Sequence, residues 1–494
     1  MGMNVEKSLY RQYESLLSKM DELLKVQKED KEQIKELNKT IIIQGELNAK
    51  LLLEIERLKN QINKNSSNSS KPGSSDTKPP KSGANMYNGR IKSGKSVGGQ
   101  VGHKGSNLSL ITIEKMIANN EIIVKEVKHT IKGDSTEKPL IKYKLGIEVI
   151  PYVEKHIFMF DELSEEVLPK EYYTEVTYNS YLKSICVELG SYNVVAINRL
   201  TDFISVITKG LINISNSSIC NFLSEFSELS YKEISKLEEE ILSSKLIYTD
   251  ETGTKLNKKK MYFRNYSTDN IALYKAHYKK GHNPIKDDNI LTRFTGGIMG
   301  DHDTALYSYG TDNYECNVHV GRYLEELIQN IPYVSWVVKI KELFYRIHNS
   351  INIAKLYKVD SFDEDKIVEY IKEYDLILEK AKEENITIKS SFYRDKAKKL
   401  LNRLTKYKDN HLYFVKDFNV PFSNNTSEQD LRVLKTKTKV SGGFRSDKGA
   451  KSYANALTII KTAKKRGINP FSAIFNIFNN NPCFVSWSKF FYTL

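Results

Sequence analysis

The chain is poor in cysteine. Its four cysteines, Cys186, Cys220, Cys316 and Cys483, include no close pair among 494 residues, which excludes a disulfide framework and points to a reducing compartment. It has no apolar run of membrane-spanning length, and its first residues, MGMNVEKSLYRQYE, lack the apolar stretch of a signal peptide. The expectation is a cytoplasmic protein with no membrane partner. Acid is also in deficit, with 75 Lys and Arg against 61 Asp and Glu and a net charge of +14. That balance favours a polyanionic partner over an acidic substrate, although a chain rich in Lys, Asn, Ile and Tyr also arises from biased base content. At this length one core does not suffice, and three or four units are expected.

What is present begins with a heptad pattern. Leu9, Leu16, Leu23, Leu37, Leu51 and Leu58 recur at seven-residue intervals, and Tyr13, Met20, Ile34, Ile41, Ile55 and Ile62 fill the complementary position. Residues 1–63 are therefore expected to form a coiled coil, self-associating as a dimer by default. Asp30, Gln44, Gln27 and Asn48 interrupt the seam, where polar residues fix register or strand number at some cost in stability. Residues 64–110 change to Ser, Asn, Gly, Pro and Lys, with Asp76 the single acid among Lys64, Lys71, Lys78, Lys81, Arg90, Lys92, Lys95 and Lys104. This reads as a flexible basic linker, either a solvated spacer or a strip lying along phosphates. Residues 111–165, with EIIVKEVKHTI and PLIKYKLGIEVIPYVEKHIFMF, read as a small β module. Residues 166–242 read as helical, and NISNSSICNFLSEF suggests two helices around a turn, either a helix-turn-helix or an ordinary hairpin.

Three acids stand apart from the charged runs: Asp250 in IYTDETGTK, Asp301 in GGIMGDHD and Glu428 in SNNTSEQDLR. Asp250 closes an apolar run that is followed by KMYFRNYST and NIALYKAHY, a strand, turn, strand, turn, strand succession that suggests a ribonuclease-H-like sheet. Asp301 follows the apolar FTGGIMG. Glu428 falls in the first turn of a helix capped by Asn424, Asn425 or Ser427, where an acid also serves simply to stabilise the helix. Such a trio can hold hard divalent cations without His or Cys. Cutting a phosphodiester needs an activated nucleophile and charge neutralisation, which two such ions supply. Glu251 adjoins Asp250 and points to the opposite strand face, so one of the two faces the metals, and Asp250 is preferred. Asp303 is an alternative to Asp301.

Cys316, His319 and Arg322 follow at helical spacing in ECNVHVGRY. With no second Cys/His pair in the chain, a packed helix start is favoured over half a zinc site, and His319 and Arg322 are candidate DNA contacts. Residues 338–420 are rich in Lys, Glu, Leu and Ile at helical periodicity. Beyond Glu428, Arg432, Lys435, Lys437, Lys439 and Arg445 cluster around the VSGGFRS turn as candidate phosphate contacts, with glycine allowing close backbone approach.

The NKNSSNSSKP linker, GGQVGHKG, YTDET, GDHD leading to CNVHVGR, SNNTSEQDLR, and VSGGFRSDKGAKSYANALTIIKTAKKRGINP, in this order, resemble transposases of the insertion-sequence-66 family. The resemblance implies a multidomain α+β, DDE-type transposase with an N-terminal coiled coil, a helical DNA-binding region, and a ribonuclease-H-like α/β core in two parts, 243–337 and 421–494, around the helical insertion 338–420. It implies Asp250, Asp301 and Glu428 as catalytic and metal-holding residues, two Mg²⁺ or Mn²⁺ ions, and double-stranded DNA as partner. Small accessory proteins, common in the family, are a further candidate partner. Two departures stand out. Relatives often carry a cysteine-rich zinc module where residues 111–160 have no cysteine, and the spacing from Asp301 to Tyr307 is one residue longer than the family pattern. The expected activity is cleavage and joining of strands at mobile-element ends; the alternative is a catalytically inactive coiled-coil DNA-binding regulator derived from a transposase. A carboxylate-pair sugar hydrolase fits the acids but not the basic excess.

Overall fold

The computed structural model describes residues 2–63, 109–129, 140–160, 165, 167–169 and 172–485. The expected basic linker lies outside them except for its last two residues. The chain divides into two compact units: Met1–Gly89, Met299–His302 and Asn313–Asn424 form the first, and Arg90–Ile298, Asp303–Asp312 and Asn425–Leu494 the second. The architecture is α+β, a five-stranded mixed sheet with many helices. No helix of the described residues is long and apolar enough to cross a membrane.

The second unit is built on β1 (Leu246–Leu256), β2 (Lys259–Ser267) and β3 (Ala272–His277), an antiparallel meander as the sequence predicts. Asn257 and Lys258 turn the first hairpin with φ of 47° and 68°, the left-handed pair whose twist matches the flanking strands. Strands β4 (Gly297–Gly300) and β5 (Asp312–Glu315) complete the order β3-β2-β1-β4-β5, and the chain passes between units within them. Alternation sends side chains to two separate cores. Ile247, Tyr266 and Leu273 join one, whereas Leu256, Phe263 and Tyr274 join the other. Helix α14 (Asp447–Lys465) contributes Ile459, Ile460 and Ala463 to the first and Tyr453, Ala454 and Leu457 to the second. Its Thr462 and Thr458 hydroxyls also accept from the β3 amides of Ala272 and Tyr274, both at 3.1 Å, so a helix closes this sheet edge.

Helices α3 (Ser180–Ser191), α4 (Ile197–Ile207), α5 (Asn216–Leu229) and α6 (Tyr231–Leu242) occupy the expected helical region. The α4 to α5 connection runs from Thr208 to Ser215, longer than the roughly three- or four-residue turn of a helix-turn-helix. The stretch read as a small β module holds no strand among its described residues. It contains α2 (Leu110–Ala118), started by the Ser109 side chain accepting from Thr112 N, and then irregular chain in which Ile123, Ile147, Val153 and Phe160 stand exposed. An alternating apolar pattern makes a strand only where a neighbouring strand completes the ladder, and here none does among the described residues.

In the first unit, α1 (Gly2–Asn63) is a single 62-residue helix, about 93 Å long at the usual rise. Its heptad residues Leu16, Leu23, Ile34, Leu37, Ile41, Leu51, Ile55, Leu58 and Ile62 are exposed. Helices α8 (Asn317–Asn330), α9 (Ser335–Leu356), α10 (Glu364–Ile386), α11 (Ser391–Lys406) and α12 (Lys408–Lys416) make up the rest. The end of α10 caps the start of α9: Glu384 accepts from the amides of Ser335 at 2.6 Å and Trp336 at 3.0 Å, and Asn385 Oδ1 from Trp336 Nε1 at 2.9 Å. Orphan amides of one helix are thus met by an acid of another.

His411 of α12 is fully buried, with Nδ1 3.0 Å from Asn317 Oδ1, and burial pushes its pKa down to about 3. The unfolded chain takes up this proton near pH 6.5, the folded chain only near 3. Its contribution to stability is therefore fully present above the higher value and is lost as pH falls towards the lower one. Melting curves taken between about pH 7 and pH 5 should show His411→Gln less acid-sensitive than the parent, by about 2 kcal/mol.

Candidate functional site

Asp250 occupies the middle of β1 on the face it shares with Tyr248, Thr254 and Leu256. Helix α13 (Asn425–Ser441) lies along that face: the Tyr248 hydroxyl bonds the Thr426 side chain, and Thr254 Oγ1 lies 2.9 Å from Thr438 Oγ1. Twelve helical residues rise about 18 Å and six strand residues about 20 Å, so helix and strand advance together. The first turn of α13, carrying Glu428, is thereby set beside Asp250.

Asn265 makes this placement specific. It pairs with Asp250 across the β1–β2 ladder and is fully buried. Its Oδ1 accepts from Asp250 N at 3.1 Å and Ser427 Oγ at 2.7 Å, and its Nδ2 donates to Ser267 Oγ at 2.9 Å and Ser427 O at 3.3 Å. All four hydrogen-bonding positions of the amide are used. Ser267 in turn donates to Asp430 Oδ2 at 2.8 Å, and Lys461 and Lys465 flank that buried carboxylate at 3.0 and 2.8 Å. Asp250 Oδ1 accepts from Glu251 N at 2.7 Å, which orients the carboxylate. Sequence reasoning missed Asn265, Ser427 and Asp430 as a group. The available signals were an asparagine inside the aromatic strand KMYFRNYST and the polar residues on both sides of Glu428.

The opposite face of β1 takes the neighbouring acids. Glu251 bonds the buried Arg264 at 2.5 Å, and Asp303 Oδ2 approaches the same guanidinium at 3.5 Å while its Oδ1 accepts from Ala305 N at 3.0 Å. Arg264 and a local turn thus occupy Asp303, the alternative to Asp301.

In the first unit, Asp301 directly follows β4. Its Oδ1 is buried and 3.0 Å from His319 Nδ1, a contact without full hydrogen-bond alignment. Cys316 precedes α8, and its Sγ lies 3.3 Å from His319 Nδ1 and accepts from Asn424 N at 3.3 Å. Arg322 Nη1 stands 3.0 Å from His319 Nε2. Nδ1 of the same ring faces Asp301 and Cys316. Burial alone would lower this imidazole's pKa, but the contacts to Asp301 and Cys316 overcome it and raise the pKa to about 11. His319, expected as a DNA contact, is buried and turned inward.

The ligand atoms of Asp301, Cys316 and His319 lie within 4.8 Å of one another. Asp250, Asp301 and Glu428 offer the hard oxygen donors that Mg²⁺ or Mn²⁺ takes, and the buried Asp301 oxygen retains acceptor capacity, so these residues fit such an ion.

Arg432, Lys435 and Lys439 stand exposed on α13, and Arg445 is exposed just beyond it. Lys437 is not among them: it is buried, its ammonium lies 5.3 Å from the centre of the Tyr453 ring, and burial lowers its pKa. The glycine turn likewise serves the interior. At Gly443, φ is 128° and a Cβ would fall 2.3 Å from Lys255 O, where Phe444 N donates at 2.7 Å. The close approach it permits is to β1.

The model of the Transposase IS66 family matches residues 187–452, more than half of the chain, and the chain belongs to this family. A model of a family of unknown function (DUF6444) matches residues 20–109. The Uncharacterized protein y4jO of Sinorhizobium fredii (strain NBRC 101917 / NGR234) is 41% identical over 71 residues, 14% of this chain. The chain spans 22% of that relative's length. No solved structure matches.

Asn265→Leu should strand Ser427 Oγ and the Asp250 amide and lower stability by about 1–3 kcal/mol in urea unfolding. Ser427→Ala added to it should cost less than the two single changes summed, since both break one network. Replacing Arg432, Lys435 and Lys439 by Ala should weaken binding to duplex DNA and reduce the slope of log affinity against log salt by about 1 for each phosphate no longer neutralised, whereas Lys437→Ala should leave that slope unchanged.

Proposed function

We propose that this protein is a DDE-type DNA transposase that cleaves and joins strands at mobile-element ends, with Asp250, Asp301 and Glu428 as the acids of a ribonuclease-H-like core. The observation that carries the reading is the Asn265 clamp, which holds the turn bearing Glu428 against the strand bearing Asp250. Asp301 directly follows β4, and its rival Asp303 is bound by Arg264. Family membership supplies the reaction class.

In this reading the three carboxylates hold a pair of Mg²⁺ or Mn²⁺ ions. Such ions, when bound, neutralise phosphate charge and make a water or 3′-hydroxyl nucleophilic near neutral pH. The protein's own part is positioning. Asn265 fixes the backbone at Asp250, the Glu251 amide orients the Asp250 carboxylate, and His319 sets its Nδ1 beside Asp301. The exposed face of Arg432, Lys435 and Lys439, with Arg445, binds the phosphate backbone of double-stranded DNA and fixes its register without reading bases. The exposed heptad residues of α1 are buried by pairing two or more copies as a coiled coil, which brings two DNA ends to one assembly. The α3–α6 region adds DNA contacts, and small accessory proteins join as they do for relatives.

Labelled oligonucleotides carrying the ends of the element should be nicked and joined in Mg²⁺. Asp250→Ala should reduce the rate on the order of a thousandfold, about 4 kcal/mol of transition-state stabilisation, while DNA binding persists. Binding without any strand cleavage by the wild type would instead identify an inactive DNA-binding regulator.

A further inference from the structure

We propose that the helical insertion positions Asp301 through a chain of three side chains, Arg403, the buried Glu315 and His302, and that this chain tunes how well Asp301 binds a divalent ion. The inference rests on the reading of Asp301 as a metal-holding residue. All its members belong to the first unit.

Glu315 is the last residue of β5 and only 3% exposed. A buried carboxylate is tolerated only when both oxygens are met by charge or hydrogen bonds, and here each oxygen has its own partner. Oε1 lies 2.5 Å from His302 Nδ1, and Oε2 accepts from Arg403 Nη2 of α11 at 2.6 Å. The two ends differ in kind. Arg403 comes from deep in the helical insertion, its guanidinium over the Tyr323 ring of α8 at 5.8 Å, and its buried Nε finds no hydrogen-bond partner among the described residues. His302 is the residue after Asp301, and its ring meets that of Tyr407 edge-on at 5.1 Å. The Cys316 amide donates to Gly300 O at 3.0 Å, tying the end of β5 to the end of β4. Asp301 is therefore held between two fixed neighbours, Gly300 through the backbone and His302 through Glu315. Carboxylate ligands need such outer partners to keep their orientation, and losing one typically weakens metal binding about 10–100-fold.

An ion pair that merely attaches α11 to β5 would change stability and nothing else, so the test reads metal binding. Mn²⁺ is titrated into the full-length protein, and free ion is followed by its electron paramagnetic resonance signal. Arg403→Met, remote from Asp301, is expected to raise the Mn²⁺ dissociation constant about tenfold. Arg403→Lys, which keeps one donor and the charge, should recover much of the loss, and Asp301→Asn should remove the site. Glu315→Gln preserves shape and should weaken Mn²⁺ in the same direction, which keeps the test available if Arg403→Met fails to fold. A lower melting temperature with Mn²⁺ affinity unchanged in both Arg403→Met and Glu315→Gln overturns the positioning role and leaves the acidic set intact. Wild-type affinity in Asp301→Asn, or no Mn²⁺ binding by the wild type, overturns the metal assignment and this inference with it.

Discussion

A primary amide buried in a protein interior is stable only when its two acceptor and two donor positions are all satisfied, and Asn265 meets that demand with groups from three elements. The constraint is unforgiving, because one helix shifted by a residue would leave several polar atoms buried without partners. Within the second unit this is what converts a sheet with a helix laid on it into a defined juxtaposition of Asp250 and the start of α13. The apolar contacts around Leu431, Leu434 and Leu457 hold helix and sheet together, but they would tolerate sliding that the amide forbids.

Charge is sorted by the same logic. Asp430 sits between Lys461 and Lys465, Glu251 and Asp303 share Arg264, and Glu315 joins His302 to Arg403. Each of these acids has a cation close by, which for the buried Asp430, Glu251 and Glu315 side chains offsets the loss of hydration. Positive charge in excess of these pairs stands on the exposed side of α13, so the basic surplus of the sequence is partly structural and partly directed outward. Lys437 illustrates the division. Lys435 and Lys439 flank it in the sequence and stand exposed, whereas its own position on the helix turns it towards Tyr453.

Much of the fold was legible because it rests on local periodicity. The α1 heptads, the three-strand meander and the helices of 338–420 follow from side-chain spacing alone, and the structure has helices or strands at each. Asp301 and Glu428 could be placed for a different reason, since one follows a strand and the other opens a helix, whereas Asp250 lies inside β1. What stayed hidden depends on contacts distant in sequence. Nothing near Asn265 announces Ser427, and nothing near Glu315 announces Arg403. Facing was equally hidden: His319 and Lys437 look like surface cations in a linear reading, but helix phase turns them inward. The stretch 111–165 failed in the opposite direction, because alternation there promised strands that no neighbouring strand completes among the described residues.

The two threonines of α14 that receive the β3 amides carry a consequence for assembly. With the amides of Ala272 and Tyr274 already engaged, that part of the sheet edge offers fewer donors through which a second copy, or a misfolded one, can be recruited. In a lysine-rich chain this directs any self-association away from backbone zippering at these positions of β3.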